Sequence, residues 1–169
     1  MDYTAITSSP TFCSAPWNSL NIDQTGRVSS CMHMREEIGN IKQTDLKDIL
    51  TGHRITEIKK SMANGQWHSA CGWCKELEET TGTSGRTVRQ CSEQTLTEIT
   101  KDINYFEPHH LVVNWSNLCN LSCVYCNPDT STAWQSIKKI PINFVRNDQQ
   151  SLLEIMKAKR SEEHTSELQ

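Results

Sequence analysis

Eight cysteines in 169 residues constrain this chain more than any other feature. They stand at Cys13, Cys31, Cys71, Cys74, Cys91, Cys119, Cys123 and Cys126. At 19.3 kDa the chain has room for one ordinary domain, or for a small domain and part of another. Hydrophobic residues are only 36% of it, so apolar burial alone makes a modest core and a second source of cohesion is expected. In a secreted chain the cysteines would read as a disulfide framework. The opening Met1-Asp2-Tyr3-Thr4-Ala5-Ile6 has neither the basic nor the apolar run of a secretory signal. The expected compartment is therefore a reducing cytoplasm, where clustered thiols read as metal ligands. Seventeen Lys and Arg against twenty Asp and Glu, a net charge of -3, remove nucleic acid and anionic membranes as default partners. No apolar run is long enough to predict a membrane-crossing helix.

The last ten residues, Arg160 to Gln169, read as an in-frame translation of a common sequencing-library adapter, with all ten in register. The natural reading frame is expected to depart from them and to continue past Lys159. Upstream, residues 13–31 read as a hairpin: Leu20 and Ile22 alternate with polar neighbours, and Asp23-Gln24-Thr25-Gly26 is turn chemistry. Thr44 is the expected cap of a short helix ended by Gly52. Ile55, Ile58 and Met62 fall at i, i+3 and i+7, an amphipathic helix closed by Asn64-Gly65. A helical turn is expected from Cys71 through Glu79, and a longer stripe through Val88, Cys91, Leu96, Ile99 and Ile103. Leu111 to Trp115 is short, apolar and β-rich, as for a buried parallel strand. A cysteine-rich loop follows from Asn117 to Asn127, then a helix capped by Ser131 or Thr132 and broken by Pro141. Asp148 caps a last expected helix carrying Leu152, Leu153 and Met156.

Two cysteine sets carry the chemistry. Cys119, Cys123 and Cys126 have the spacing C-x3-C-x2-C. Three thiolates from one loop suffice for three irons of a four-iron cluster and leave the fourth open to a small chelating ligand. A three-cysteine zinc site completed by a distant histidine, or structural thiols, are the plainer readings. Cys13, Cys31, Cys71 and Cys74 form the second set, C-x17-C-x39-C-x2-C, with one tight pair and two members flanking the hairpin. Four thiolates suit tetrahedral zinc or a fully ligated 4Fe-4S cluster. Spacing does not choose between them, and on these residues alone zinc is the commoner answer.

The C-x3-C-x2-C loop, with the aromatic Tyr125 just before its third cysteine, resembles the cluster motif of radical S-adenosylmethionine (SAM) enzymes. The strand entering the loop fits the resemblance, since in that family the loop ends the first strand of a partial βα barrel. The resemblance implies that Cys119, Cys123 and Cys126 hold a 4Fe-4S cluster and that SAM chelates its open iron near Tyr125. It further implies reductive cleavage of SAM to a 5'-deoxyadenosyl radical that abstracts hydrogen from substrate. The stretches Phe12-Cys13-Ser14-Ala15-Pro16-Trp17, Gly26-Arg27-Val28, Gly39-Asn40-Ile41 and Cys71-Gly72-Trp73-Cys74-Lys75-Glu76-Leu77-Glu78 resemble the auxiliary-cluster modules called SPASM and twitch domains. That likeness implies a second 4Fe-4S cluster on Cys13, Cys31, Cys71 and Cys74. In most relatives the module follows the barrel; here it precedes it, as in a subset of twitch-domain radical SAM proteins.

The remaining candidates are weaker. Cys91 lies on an apolar stripe and reads as a small core residue. His109 and His110 are adjacent on a strand entry, so their side chains face opposite ways and do not make a ligand pair. Glu78 and Arg86 match positions of the twitch-like pattern, where they pair or cap the cluster loop; a surface salt bridge is the equal alternative. Trp17, Trp67 and Trp73 are expected to shield the N-terminal site or to serve as core, and Met32 and Met34 to pack.

The expected fold class is α/β: a small Cys-rich twitch-like domain over residues 10–90, a linker helix over 91–107, and the start of a partial βα, TIM-like radical SAM barrel over 108–159. The resemblance implies three partners: SAM, a low-potential electron donor such as flavodoxin or ferredoxin, and a peptide or protein substrate. No catalytic residue is assigned within this stretch, and no Gly-Gly-Glu-type segment follows the cluster loop. A zinc-stabilised interaction module and a two-cluster electron carrier are the competing classes.

Overall fold

The alternation around Leu20 and Ile22 makes the first strand, and its neighbours build a four-stranded sheet around it. Strands β1 (Ser19–Ile22) and β2 (Arg27–Ser29) form the expected hairpin, antiparallel, with Asn21 opposite Ser29 and Ile22 opposite Val28. Gly26 sits at φ +87°, a left-handed conformation at which a side chain would be strained. Strand β3 (Gly39–Asn40) pairs antiparallel with β2, and β4 (His110–Val113) pairs parallel with β1, giving the order β3-β2-β1-β4. Leu20, Ile22 and Val28 are buried. The computed structural model describes residues 6–89 and 91–147 and divides into two units. The first unit comprises Met1–Ile22 and Gly26–Val113, the second Asp23–Thr25 and Asn114–Gln169. The expected helix from Asp148 and the terminal ten residues lie outside the described residues.

In the first unit, α1 (Ala15–Asn18) starts with Pro16 in its first turn, where a missing amide hydrogen costs nothing. Trp17 of α1 is fully buried and its indole Nε1 donates to the Ile103 carbonyl at 2.9 Å. Helix α2 (Leu46–Thr51) is capped by Asp45, one residue beyond the expected Thr44, and Gly52 ends it. Helix α3 (His53–Ala63) buries Ile55, Ile58 and Met62 as the spacing predicts, and packs against α1 and α2. Helix α4 (Gly72–Thr81) runs to Gly82.

Helix α5 (Glu93–Lys101) starts later than its apolar stripe suggests. Ser92 caps it, its hydroxyl accepting from the Thr95 amide, and a good cap outcompetes one more turn of helix. Val88 is therefore left outside the helix and 71% exposed, a correction to its expected place on the stripe. Strand β4 is parallel as expected. It occupies the sheet edge, however, so Leu111, Val112 and Val113 are half-buried and not enclosed.

The second unit has a polar interior. Asn117, Ser131, Gln135 and Asn147 are buried, and the Asn117 side chain donates to the Asn143 carbonyl at 2.7 Å and accepts from the Val145 amide at 2.9 Å. Helix α6 (Thr132–Ile137) is capped by Ser131 and ends ahead of Pro141, with Lys139 at φ 57°. The architecture is thus mixed α/β with a small four-stranded sheet. No helix among the described residues is long and apolar enough to cross a membrane.

Candidate metal centre

Three separate stretches of the first unit bring Cys13, Cys31, Cys71 and Cys74 to the wall of one pocket. Cys13 precedes α1, and Cys31 follows β2 at the start of a turn in which the Met34 amide donates to the Cys31 carbonyl at 3.2 Å. Cys71 ends a 3-10 turn (Ser69–Cys71) and caps α4, and Cys74 lies in the first turn of that helix. Only two residues separate the pair, so chain connectivity alone keeps its thiols close and it needs no tertiary help. His68 holds the turn, its Nδ1 accepting from the Ala70 amide at 3.1 Å. The Ala70 carbonyl in turn accepts from the Arg35 amide at 3.0 Å, tying the Cys31 turn to the Cys71 turn.

Burial pushes the Cys13 thiol up to about 11 and the Cys71 thiol up to about 12, and burial also raises Cys31. The thiols act on one another as well: Cys71 feels Cys13, Cys31 and Cys74. Opposing this, the Ala15 amide bonds to Cys13, the His33 and Met34 amides bond to Cys31, and the Arg89 charge lowers both thiols. A cationic centre that binds thiolates would offset the desolvation and the mutual repulsion together.

All eight cysteines are free thiols. Among the described residues no three His, Cys, Asp or Glu side chains converge on a point suited to a single metal ion. A lone tetrahedral zinc would hold four sulfurs about 3.8 Å apart, from zinc–sulfur bonds of about 2.3 Å. Four cysteine thiols on one pocket wall are a donor set that a four-iron cluster, binding each thiolate through a different iron, also takes.

Trp67, an expected shielding residue, and Met34, expected to pack, line the pocket. Trp17 is core, and Trp73 is 48% exposed and stacks on His33 at 5.6 Å. Met32 is exposed. Sequence reasoning missed His33, a wall residue whose only signal was its place two residues after Cys31. Arg86 is a wall residue too, and it pairs with Glu78 through both carboxylate oxygens. Cys91 is not on this wall; it is half-buried, its sulfur receiving the Asn18 side-chain amide at 3.9 Å, and burial raises its thiol. His109 is half-exposed beside Glu107 at 3.2 Å, and His110 is exposed on β4.

In the second unit Cys119, Cys123 and Cys126 share one exposed loop fastened to the start of α6. The Ala133 amide and the Thr132 hydroxyl donate to the Cys119 carbonyl, the Ser131 hydroxyl to the Leu121 carbonyl, and Trp134 Nε1 to the Cys123 carbonyl at 2.9 Å. The Cys126 amide donates to the Cys123 carbonyl at 3.0 Å, so the last two cysteines share a turn. The Tyr125 hydroxyl is held above its ordinary value, first by its hydrogen bond to Cys123 and then by the charges of Cys123, Cys126 and Cys119. Around the three thiols Leu118, Leu121, Val124 and Tyr125 are exposed.

Searches of curated proteins and of solved structures return no match. Residues 13–75, the stretch that carries all four cysteines of the buried pocket, match the family model for SPASM, an iron-sulfur cluster-binding domain.

Proposed function

We propose that this chain belongs to a radical SAM enzyme, with an auxiliary 4Fe-4S cluster on Cys13, Cys31, Cys71 and Cys74 and a SAM-binding 4Fe-4S cluster on Cys119, Cys123 and Cys126. One observation carries the reading: four thiols line one pocket, and they fall inside the segment matching an iron-sulfur cluster-binding domain. The second cluster is supported by the C-x3-C-x2-C loop, pinned at Cys119, Leu121 and Cys123 to the start of α6.

When bound, such a cluster with SAM supplies reductive cleavage of the sulfonium and a carbon radical for hydrogen abstraction. The chain's own residues have narrower tasks. Cys119, Cys123 and Cys126 ligate, and the loop's carbonyls, held by Ser131, Thr132, Ala133 and Trp134, fix where those thiols sit. Tyr125, at the thiols, would contact the SAM side of the site. In the first unit Trp67 and Met34 exclude water from the auxiliary site, and the Ala15, His33 and Met34 amides bond to its sulfurs. A flavodoxin- or ferredoxin-like donor would deliver the electron, and a peptide or protein is the proposed substrate class.

Anaerobic reconstitution of the whole chain tests this. The expected result is iron and sulfide with broad visible absorption, and a reduced-state electron paramagnetic resonance spectrum that changes when SAM is added. Replacing Cys119, Cys123 and Cys126 with alanine should remove the SAM response. Stoichiometric zinc with no visible absorption would instead support a zinc-stabilised interaction module.

A further inference from the structure

We propose that Arg86 is a positioning residue of the four-thiol pocket, locking the segment that carries Cys13 onto the helix that carries Cys74. The inference rests on the reading of that pocket as an iron–sulfur site, and it concerns a residue beyond the segment matched to the SPASM family.

The Arg86 guanidinium has every side engaged. Nε donates to Glu78 Oε1 at 2.9 Å and Nη2 to Glu78 Oε2, a two-pronged bond to α4. Nη1 donates to the Phe12 carbonyl at 2.9 Å, the peptide group that leads into Cys13. The guanidinium carbon lies 5.0 Å from the Trp67 ring centre, and both Arg86 and Trp67 line the pocket. One side chain therefore joins the Cys13 segment, a pocket-wall indole and the Cys74 helix. A lysine ammonium has no fork with which to copy this.

The loop before Arg86 is braced to present it. Ser84 is buried, its hydroxyl donates to Glu78 Oε1 at 2.5 Å, and it accepts from the Arg86 amide at 3.1 Å. The Thr87 hydroxyl closes the loop by accepting from the Ser84 amide at 3.0 Å. This differs from an ordinary surface pair. The Arg86 and Glu78 side chains are 13% and 17% exposed, whereas Arg35 and Glu76 nearby are 49% and 59% exposed. Glu78 is correspondingly held below the usual carboxylate range, first by its hydrogen bond with Arg86. As a closed pair the two charges offset one another at the pocket wall. Removing either partner leaves the other's charge uncompensated there.

The test uses the whole chain in two forms. In reduced, metal-free protein, alkylation of Cys13 is followed by mass spectrometry with Cys119 as internal reference. Arg86→Gln and Arg86→Lys should each speed Cys13 alkylation about tenfold with Cys119 unchanged, the factor expected when a charge-assisted bond of ordinary strength no longer resists local opening. In iron-loaded protein whose Cys119, Cys123 and Cys126 are alanine, the reduction potential is read. Arg86→Gln should move it lower, because Glu78 stands alone, and Glu78→Gln should move it higher, because Arg86 stands alone. A merely structural loss moves both the same way. Parent-like alkylation in the two Arg86 variants overturns the proposal, and so do potential shifts of one sign or none. If the parent chain takes up no iron here, the iron–sulfur reading fails while the alkylation arm still decides the role of Arg86. If Arg86→Gln does not fold, Arg86→Lys decides the alkylation arm by the same criterion.

Discussion

Lys59 is the residue whose surroundings depart furthest from what its side chain prefers. It is fully buried on α3, its Nζ donating to the Tyr105 carbonyl at 3.3 Å and lying 5.4 Å from the Trp17 ring centre. Burial pushes its pKa down to about 8 from 10.5, with Asp102 opposing the shift. The folded chain therefore loses this proton before the unfolded chain does, so folding stability rises as pH climbs from about 8 towards 10.5. One unit above the folded-state pKa the gain should be about 1.4 kcal/mol. Urea titrations at pH 7 and pH 9 on the parent chain and on Lys59→Met isolate this effect, because the buried thiols are common to both. The methionine variant should lack the rise; parallel pH curves for the two proteins would refute the assignment. Ile55, Ile58, Lys59 and Met62 together complete an i, i+3, i+4, i+7 stripe, so the burial of Lys59 was legible from its position even though its chemistry argued against it.

Among the elements, α4 bears Cys74 and starts right after Cys71, and its end prepares the Arg86 loop. Gly82 stops it at φ 76°, and a Cβ built there would meet nothing within 4 Å. Gly82→Ala therefore isolates the left-handed strain, a loss of about 1 kcal/mol in urea unfolding, and Gly82→Asn should lose less. A neutral Gly82→Ala would mean that the α4 terminus takes another conformation. In the second unit the comparable element is the segment that Asn117 holds. Asn117→Ala leaves the Val145 amide without its side-chain partner and the Asn143 carbonyl with only Gln135 Nε2 at 3.4 Å, at a cost of about 2 kcal/mol. Faster amide exchange at Val145, with α3 unchanged, is the expected signature. Uniform exchange across both units would show that Asn117 acts globally instead. Caps and stops of this kind are written in short stretches of sequence, which is why the ends of α2 and α3 were readable. The start of α5 was misread because Val88 continues the apolar spacing while the Ser92 cap interrupts it.

For the whole molecule the question is whether the two cysteine sets work independently, as expected if each holds its own cluster. Reconstituted parent chain should bind about eight irons, and the variant lacking Cys119, Cys123 and Cys126 about four. Replacing Cys71 and Cys74 with alanine should also leave about four irons, and should lower the unfolding temperature of the first unit, since a small module draws folding energy from its metal. Iron content that stays at the parent level in the Cys71/Cys74 variant would show that this pocket is not a cluster site.

By itself, the sequence determined what short-range chemistry can encode. Two intervening residues keep Cys71 and Cys74 together at the start of α4, a turn closes the β1–β2 hairpin, and C-x3-C-x2-C confines three thiols to one loop. Each depends on neighbours within a few residues, where backbone geometry leaves few alternatives. Tertiary structure decided the rest. It brought Cys13 and Cys31 to the wall that already held the tight pair, and it set β4 parallel beside β1 at the sheet edge, where the apolar run is half-covered instead of enclosed. It also joined Arg86 to Phe12, Trp67 and Glu78 at once. These outcomes depend on residues distant in the chain meeting at one place. Loop closure and burial of the whole unit govern such meetings, and no local spacing records them.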